Sequence, residues 1–490
     1  MSVVILSVLS AFLLSLTFSS HNLGIFAWVA FLPLFIALEK KSFLLSFAIS
    51  YLCGVVFWSF TIYWLAHVTL LGTIILILYL ALYFGFFGFF LLTFNTQRPT
   101  FNLFFIPSAW VLLEYLRSYL FTGFPWAVLG LSQYRNLPLI QFADITGAWG
   151  VSFLIVLINI VFYLCLRRKL SARVVLSGTI ILVACLIYGF YNLARHPVNH
   201  AGNKVKVSVI QGNISQDLKW DPQAVNFILD SYSGLTSASA KDSPELIIWP
   251  EASVPGILGE DELIFEQVFS LAHTLDTDLL VGTVSHLRGS YYNSALFIER
   301  SGKGNKIYNK LHLVPFGEYV PFKKTFPFLQ AIAAIGDIAP GREFTIFTKP
   351  TNFGVLICFE DLFPELSRQF IRKGAKFLVN ITNDAWYKEG SAPYQHFSAS
   401  VFRAVENRVY LARAANTGIS GFIDPAGRIL QVVQDVNHKK IFVNGFVTQD
   451  IYSSGGKSFY GSFGDLFVLF CLLFDSCVII FALIKRKVII

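Results

Sequence analysis

Long stretches without charged residues occupy most of the first 194 positions of the chain. The first of them, residues 2–20, is close to the length of about 20 residues that a helix needs to cross the hydrocarbon core of a bilayer. Charged residues make up 14% of the whole chain, against about a quarter in soluble proteins. The sequence therefore predicts a membrane protein with eight transmembrane helices. Their approximate bounds are 2–20, 24–38, 43–65, 69–94, 102–121, 147–166, 174–192 and 463–484.

A cleaved signal peptide is the alternative interpretation of residues 2–20. Signal peptides have a basic segment before the apolar core and small residues at a cleavage site after it. The sequence has neither feature here, so a first transmembrane helix is favoured.

The basic residues between the predicted helices fall on one side of the membrane. They are Lys40, Lys41, Arg98, Arg167, Arg168, Lys169, Arg173, Lys485, Arg486 and Lys487. The connecting loops on the other side carry only Arg135, so the positive-inside rule places both termini in the cytoplasm. Seven helices precede the large polar region, which is then outside the cytoplasm, in the periplasm of a Gram-negative cell. This topology explains the net charge of +8 without a nucleic-acid partner.

Three features of the apolar part are unusual. Glu114 and Arg117 lie three residues apart in the fifth predicted helix, where they can satisfy each other, and a structural pair is favoured over a catalytic one. The loop at 123–134 is very apolar, which is typical either of a re-entrant segment or lipid portal, or of an interfacial aromatic belt. Asp475 lies in the last predicted helix, and the sequence assigns it no role.

The composition changes near residue 195, where Lys, Asp, Asn and Gly return. Helical patterns at 224–235, 260–275 and 397–410 alternate with strand patterns, which is typical of a layered α/β domain. The strand patterns lie at 205–213, 245–251, 278–285, 293–299, 354–358, 376–382, 411–418 and 440–447. The predicted domains are a membrane domain of seven helices at 1–194, an α/β domain at 195–462, and a last transmembrane helix with a short tail at 463–490.

The segment at 354–365, GVLICFEDLFPE, places a cysteine at a sharp turn. A short apolar run ends at Cys358, Pro364 opens a helical pattern, and a second strand pattern follows at 375–380. A strand–turn–helix of this kind presents a nucleophile at the edge of a sheet. The other five cysteines lie in apolar, membrane-like segments, so Cys358 is the natural candidate for chemistry.

Two further stretches of the polar region present ionisable residues beside apolar runs. Glu251 follows the run IIWP, and Lys310 and Glu318 lie eight residues apart around an aromatic turn. A thiol needs a base to become a nucleophile, and the oxyanion of acyl transfer needs a positive group or N–H donors. Taken singly, Glu251 can be a helix N-terminal acid, Lys310 a surface lysine and Cys358 a core residue. Together they favour an acyl-transfer site.

Four sequence blocks resemble the nitrilase, or carbon–nitrogen hydrolase, superfamily. They are IIWPEASVP at 247–255, NKLHLVPFGEYVP at 309–321, LICFEDLFPEL at 356–366 and NITNDAW at 380–386. The resemblance implies an α-β-β-α sandwich in which Glu251 is the general base, Lys310 the cation that stabilises the oxyanion, and Cys358 the nucleophile.

The same resemblance assigns supporting residues. It implies that Glu318 and Glu360 support the triad, and that Trp220, Phe359 and Trp386 bind substrate. Position 359 is a phenylalanine, where the family has tyrosine equally often. Phenylalanine lacks the hydroxyl group, which removes one hydrogen bond. Tyr387 and Lys388 replace the Phe-Gly pair expected after Trp386.

Apolar segments on both sides of such a domain resemble the apolipoprotein N-acyltransferases of bacterial inner membranes. The blocks QGNISQDLKW at 211–220 and FYGSFGD at 459–465 fit the same family. The resemblance implies a ping-pong reaction, in which Cys358 takes an acyl chain from a phospholipid as a thioester. The free α-amine of an S-diacylglyceryl cysteine at an apolipoprotein N-terminus then accepts the chain. We expect no cofactor and no metal, and a monomer, because one chain carries the whole set of residues.

Two alternatives remain open at this stage. A membrane-tethered amidase would use the same triad on a small amide, with water as the acceptor, but one transmembrane helix would suffice to tether it. A transporter or lipid-binding protein with an inactive domain would be expected to have lost part of the triad, whereas Glu251, Lys310 and Cys358 are all present.

Overall fold

A computed structural model of the protein describes residues 2–92, 99–167, 172–195, 203–302, 304–321, 338–453 and 456–487. Contacts within the chain divide it into two compact units. The helical unit comprises Met1–Ala66, Leu70–Arg195 and Phe463–Ile490, and the α/β unit comprises His67–Thr69 and His196–Ser462. Several basic residues of the predicted loops, Arg98, Arg168 and Lys169 among them, lie outside the described residues.

The helical unit contains helices of very different lengths. Their bounds are α1 (Val3–Leu16), α2 (Leu32–Ala37), α3 (Phe43–Thr61), α4 (Leu70–Leu91), α5 (Pro99–Tyr119), α6 (Leu137–Ile140), α7 (Ala143–Thr146), α8 (Ala148–Leu166), α9 (Ala172–Arg195) and a C-terminal helix (Leu466–Lys487).

Within the described residues, four helices have the length and apolar character needed to cross a membrane: α3, α4, α8 and the Val175–Arg195 part of α9. Shorter apolar helices lie at Val3–Leu16, Gly24–Ala37 and Leu466–Phe481. The predicted count of eight is therefore not confirmed. The second predicted span is a 3₁₀ turn followed by the six-residue helix α2, because Pro33 lies in the first turn of α2 and has no N–H with which to continue a helix from before it.

Glu114 and Arg117 of α5 hold the apolar loop that follows this helix. Arg117 Nη1 donates a hydrogen bond to the carbonyl oxygen of Trp126 at 2.7 Å, and Glu114 Oε1 accepts the N–H of Leu129 at 2.7 Å. Most side chains of the loop at 123–134 are buried within the helical unit. The two charged residues thus satisfy loop backbone groups that the surrounding apolar side chains shield from water.

The strands of the α/β unit form two sheets. Their bounds are β1 (Asn203–Gln211), β2 (Leu246–Ile248), β3 (Ile257–Leu258), β4 (Asp278–Leu287), β5 (Ser290–Ile298), β6 (Lys306–Asn309), β7 (Phe353–Ile357), β8 (Phe377–Thr382), β9 (Leu411–Ala415), β10 (Gly421–Ile423), β11 (Ile429–Val432) and β12 (Gly445–Ser453). The first sheet has the order β12-β1-β2-β4-β5-β6 with β3 beside β4, and the second has the order β11-β10-β9-β8-β7. The central strands β1, β2 and β4 are parallel, as are β7, β8 and β9, so their carboxyl ends meet at common edges.

Helices cover the two sheets. They are α10 (Val225–Ala240), α11 (Glu262–Thr274), α12 (Pro364–Arg372) and α13 (Ala392–Asn407), and a short helix, α14 (Phe459–Phe463), follows the last strand. Residues of α10 and α11 share a buried apolar cluster with the first sheet, α12 and α13 pack on the second, and β1 contacts β9 between the sheets. These layers form the predicted α-β-β-α sandwich, which is confirmed.

Candidate active site

The predicted triad residues lie just beyond the ends of three strands. Cys358 directly follows β7, Lys310 directly follows β6, and Glu251 lies three residues beyond β2. The apolar residues of β2 and β7 are fully buried, which explains why these strands appear as continuous apolar runs in the sequence. The structure brings the three side chains together in one buried cluster.

Cys358 has the left-handed backbone conformation, with φ of +52°. A residue other than glycine held there costs about 1–3 kcal/mol. It opens the short 3₁₀ helix Cys358–Leu362, after which Pro364 begins α12. Asn380 of β8 donates a hydrogen bond from Nδ2 to the carbonyl oxygen of Cys358 at 3.3 Å. The predicted sharp turn is therefore present, and a neighbouring strand fixes it.

Lys310 lies between two carboxylates. Its Nζ is 3.0 and 2.9 Å from the two carboxylate oxygens of Glu318 and 3.5 Å from Oε1 of Glu251. Burial alone would lower the pKa of Lys310, but Glu318 and Glu251 outweigh that effect and raise the pKa. The Lys310 side chain is therefore a permanent cation at neutral pH.

Cys358 is 7% exposed, so its thiol is buried. Burial and the nearby Glu251 carboxylate raise the pKa of Cys358, and Lys310 opposes this rise. The resting nucleophile is thus a neutral thiol beside a carboxylate. Such an arrangement requires that the proton leaves during the attack, because no stable thiolate precedes it.

Asn293 of β5 joins the two carboxylates and was not found by sequence reasoning. Its Nδ2 donates to Glu251 Oε1 and to Glu318 Oε1, both at 2.7 Å. The backbone N–H of Asn383 donates to Glu251 Oε2 at 2.9 Å, so the carboxylate of Glu251 is held at both oxygens. Asn293 is a single polar residue at the start of an apolar run, and such a residue does not indicate a functional site in the sequence.

Glu360 links the segment after Lys310 to the segment before Cys358. Its carboxylate accepts the Tyr308 hydroxyl at 2.9 Å and the Ile357 N–H at 2.7 Å. It also accepts the backbone N–H groups of residues 311 and 312, at 2.7 and 3.1 Å. Burial raises the pKa of Glu360 to about 7, and the N–H donors oppose the rise. The predicted supporting residue therefore joins two parts of the site.

A second buried cluster lies behind the nucleophile. His396 of α13 has Nδ1 2.8 Å from Asp384 Oδ1 and Nε2 2.9 Å from Asp361 Oδ1. Ionised carboxylates only accept hydrogen bonds, so both ring nitrogens carry protons. Burial alone would lower the pKa of His396, but the two carboxylates raise it to about 9.

Arg413 of β9 completes this second cluster. Its Nη1 donates to Asp361 Oδ2 at 2.8 Å and to the side-chain oxygen of Asn380 at 2.5 Å. Asn380 in turn holds the Cys358 carbonyl, so the cluster reaches the nucleophile through one amide. Sequence reasoning assigned no role to Asp361 and Asp384, although both lie in the blocks quoted above, because their partners His396 and Arg413 lie in distant stretches.

The three aromatic residues predicted to bind substrate have different surroundings. Trp220 is 50% exposed, whereas Phe359 is buried with its ring centroid 5.0 Å from that of Phe363. Trp386 is partly buried in the short 3₁₀ helix Asp384–Tyr387. Their contact with substrate stays a prediction.

Two stacked sheets with a glutamate, a lysine and a cysteine beyond their strand ends are the arrangement that the resemblance to the carbon–nitrogen hydrolases implies. A model of the carbon-nitrogen hydrolase family matches residues 206–450, and a model of the apolipoprotein N-acyltransferase N-terminal domain matches residues 10–161. The apolipoprotein N-acyltransferase of Geobacter metallireducens is 38% identical over 506 residues, covering 99% of this chain and 96% of that protein. That of Chlorobaculum tepidum is 28% identical, covering 98% and 97%. The chain belongs to the apolipoprotein N-acyltransferase family.

Solved structures also resemble part of the chain. An amidase of Nesterenkonia sp. AN1 from the nitrilase superfamily is 18% identical, with a TM-score of 0.40, over 54% of this chain and 96% of that one.

Proposed function

We propose that the protein transfers an acyl chain from a membrane phospholipid to the α-amine of the S-diacylglyceryl cysteine at the N-terminus of an apolipoprotein. The product is a mature, triacylated lipoprotein. The observation that carries this proposal is the buried cluster of Glu251, Lys310 and Cys358, in a chain that matches relatives of that name over nearly its whole length.

The first half-reaction forms a thioester. Sγ of Cys358 attacks the ester carbonyl carbon of the phospholipid while Glu251 takes the thiol proton, and the oxyanion forms beside Lys310. The bond from the carbonyl carbon to the glycerol oxygen then breaks. Glu251 returns its proton to that oxygen, and a lysophospholipid leaves. The neutral thiol and the cationic lysine described above suit these two roles.

The second half-reaction transfers the chain to nitrogen. The lipoprotein amine attacks the thioester carbon, the C–S bond breaks, and a proton passes from the amine through Glu251 to the Cys358 sulfur. The products are an amide and the free thiol. Water must be kept from the thioester, since its attack would release a fatty acid instead.

The remaining predicted residues have supporting roles. Glu318 orients Lys310, and Glu360 fixes the two turns that carry Lys310 and Cys358. Trp220, Phe359 and Trp386 bind substrate. The last three roles come from the family resemblance, and Phe359 contributes an apolar ring only. Neither half-reaction requires a cofactor.

The membrane topology is part of the proposal. Residues 1–194 form a membrane domain of seven transmembrane helices, residues 195–462 a periplasmic catalytic domain, and residues 463–490 an eighth helix with a cytoplasmic tail. Four helices with the length and apolar character to span a membrane support a multi-pass protein of the bacterial inner membrane. One chain carries the whole cluster, which supports a monomer.

The test is acyl transfer by the purified protein in detergent. A phospholipid with a labelled acyl chain is mixed with a synthetic S-diacylglyceryl lipopeptide, and the peptide mass is followed. We expect a gain of one acyl chain on the peptide with a free α-amine, and none on the same peptide with an acetylated amine. Hydrolysis of small amides without any transfer to the peptide would overturn the proposal in favour of a tethered amidase.

A further inference from the structure

A second lysine, Lys219, is buried beside the proposed site. It is 5% exposed, and its Nζ donates a hydrogen bond to the carbonyl oxygen of Glu251 at 2.9 Å. Among the described residues, the carbonyl oxygen of Glu251 is the hydrogen-bond acceptor of the Lys219 ammonium group. The next residue, Trp220, is half-exposed, so the chain turns the lysine inward and the indole outward.

The segment that carries Lys219 is fixed to the second sheet. The N–H of Ile214 donates to Asn416 Oδ1 at 2.9 Å, and Asn383 Nδ2 donates to Gln216 Oε1 at 2.8 Å. Asn383 also donates its backbone N–H to the Glu251 carboxylate. Lys219 therefore has a defined position relative to Glu251.

Lys219 is a second positive charge beside the carboxylates of the site. Glu251, Glu318 and, above about pH 7, Glu360 are negative, and Lys310 is positive. A charged Lys219 therefore reduces the excess of negative charge around Cys358. During acylation, the thiol proton moves to Glu251 and an oxyanion replaces its charge, so the same excess has to be offset in the transition state.

We propose that Lys219 is a positioning residue of the acyl-transfer site, which fixes the main chain of Glu251 and supplies a second positive charge that offsets the carboxylates around Cys358. This inference rests on the proposed acyl transfer for its role in catalysis. Its effect on the Cys358 thiol follows from position and charge alone, since a cation stabilises a nearby thiolate.

Lys219 also predicts a pH dependence. The titratable groups that interact with it are Glu251 and Cys358, with Asp217 and Asp221 in its own segment. Burial lowers the pKa of Lys219 to about 8, while Glu251 and Cys358 oppose that effect. The ammonium is present below that pH and lost above it, so the acylation rate falls as the pH rises through about 8.

The test compares Lys219→Met, Lys219→Arg and Lys206→Met in the full chain. Lys206 is the matched control, because its Nζ also donates to a backbone carbonyl, that of Asp242 at 2.9 Å, but at the surface. Two rates are measured against pH: alkylation of Cys358 by iodoacetamide, followed by peptide mass, and thioester formation from a phospholipid.

We expect Lys219→Met to slow both Cys358 alkylation and thioester formation about tenfold or more below pH 8, where the wild-type ammonium group is present, and to affect them much less above that pH. Lys219→Arg restores both and moves the alkaline fall of the acylation rate to higher pH. Lys206→Met behaves as wild type.

Wild-type rates of alkylation and acylation below pH 8 in Lys219→Met would overturn the inference. Equal losses in Lys219→Met and Lys219→Arg, with equally lowered melting temperatures, would also overturn it and leave Lys219 a structural role. If alkylation slows as expected but the wild type forms no thioester, the proposed function fails while the electrostatic role of Lys219 stands.

Discussion

Replacing Glu360 with glutamine should weaken the connection between the segment that carries Lys310 and the segment that carries Cys358. The Glu360 carboxylate accepts hydrogen bonds from Tyr308 and from three backbone N–H groups, including that of Ile357 beside the nucleophile. A glutamine keeps one acceptor oxygen but turns an NH₂ group toward at least one of these donors. The change loses a hydrogen bond to a charged group, worth about 1.5–3 kcal/mol, and leaves a buried N–H unpaired at about 1–3 kcal/mol.

We therefore expect Glu360→Gln to destabilise the α/β unit by about 2.5–6 kcal/mol and to slow thioester formation about 10- to 100-fold, since Cys358 is held in a strained conformation by its neighbours. The assay is intact-mass detection of the thioester, with thermal unfolding beside it, at a pH above about 7, where Glu360 is ionised. Glu365→Gln is the matched control, because this glutamate is more exposed and pairs with Arg368 on one helix. Its loss should cost about 0.5 kcal/mol or less. A Glu360→Gln enzyme with wild-type rate and stability would refute the assigned bridging role.

Three further outcomes are expected. Lys310→Met leaves the carboxylates of Glu251 and Glu318 without the cation between them. Thioester formation should be lost in the mass assay, and stability should fall by about 3–5 kcal/mol in thermal unfolding. An active variant would contradict the role of Lys310. The stability that His396 provides should be complete below pH 6.5 and lost as the pH rises through about 9, so melting temperatures of wild type should fall more over that range than those of His396→Gln. Gly282→Ala places a Cβ 2.3 Å from the carbonyl oxygen of Pro250 and should displace the neighbouring Glu251, with a cost of about 1–3 kcal/mol and a slower acylation rate. Gly234→Ala is its control, because its Cβ meets nothing within 4 Å and should stabilise the helix by about 0.5–1 kcal/mol; equal behaviour of the two alanine variants would contradict the packing argument.

Local patterns predicted the elements that carry the triad. The strand before Cys358 is buried on both faces, so its apolar run is continuous, and Pro364 marks the start of the following helix at the predicted residue. Gly374 follows that helix with a φ of +101°, the left-handed conformation that glycine commonly adopts at the end of a helix. These features depend only on residues that are neighbours along the chain, so the sequence alone predicts them.

Elements fixed by distant parts of the chain were predicted less well. The last strand was expected at 440–447 but lies at Gly445–Ser453, because all nine of its residues pair with β1, more than 200 positions earlier. The helix expected at 397–410 is Ala392–Asn407 and begins earlier, because its first turns bury polar residues such as His396. Their partners lie on other elements, so a single sequence gives no sign that they are inside.

The site could be predicted as a set of residues but not as an arrangement. Glu251, Lys310 and Cys358 each lie in a recognisable block, whereas Asn293 has no distinctive pattern and the block that contains Lys219 assigns that lysine no role. Which carboxylate contacts which lysine depends on how two sheets are stacked, and no local spacing records that.

The most direct test of the central claim is intact-mass spectrometry of the detergent-purified protein mixed with a defined phospholipid, beside the Cys358→Ser variant. We expect a wild-type mass increase of one acyl chain, released by hydroxylamine, and no such thioester in the variant. The absence of any adduct with phospholipids of several head groups, or an equal hydroxylamine-sensitive adduct in Cys358→Ser, would contradict the claim that Cys358 carries the acyl chain.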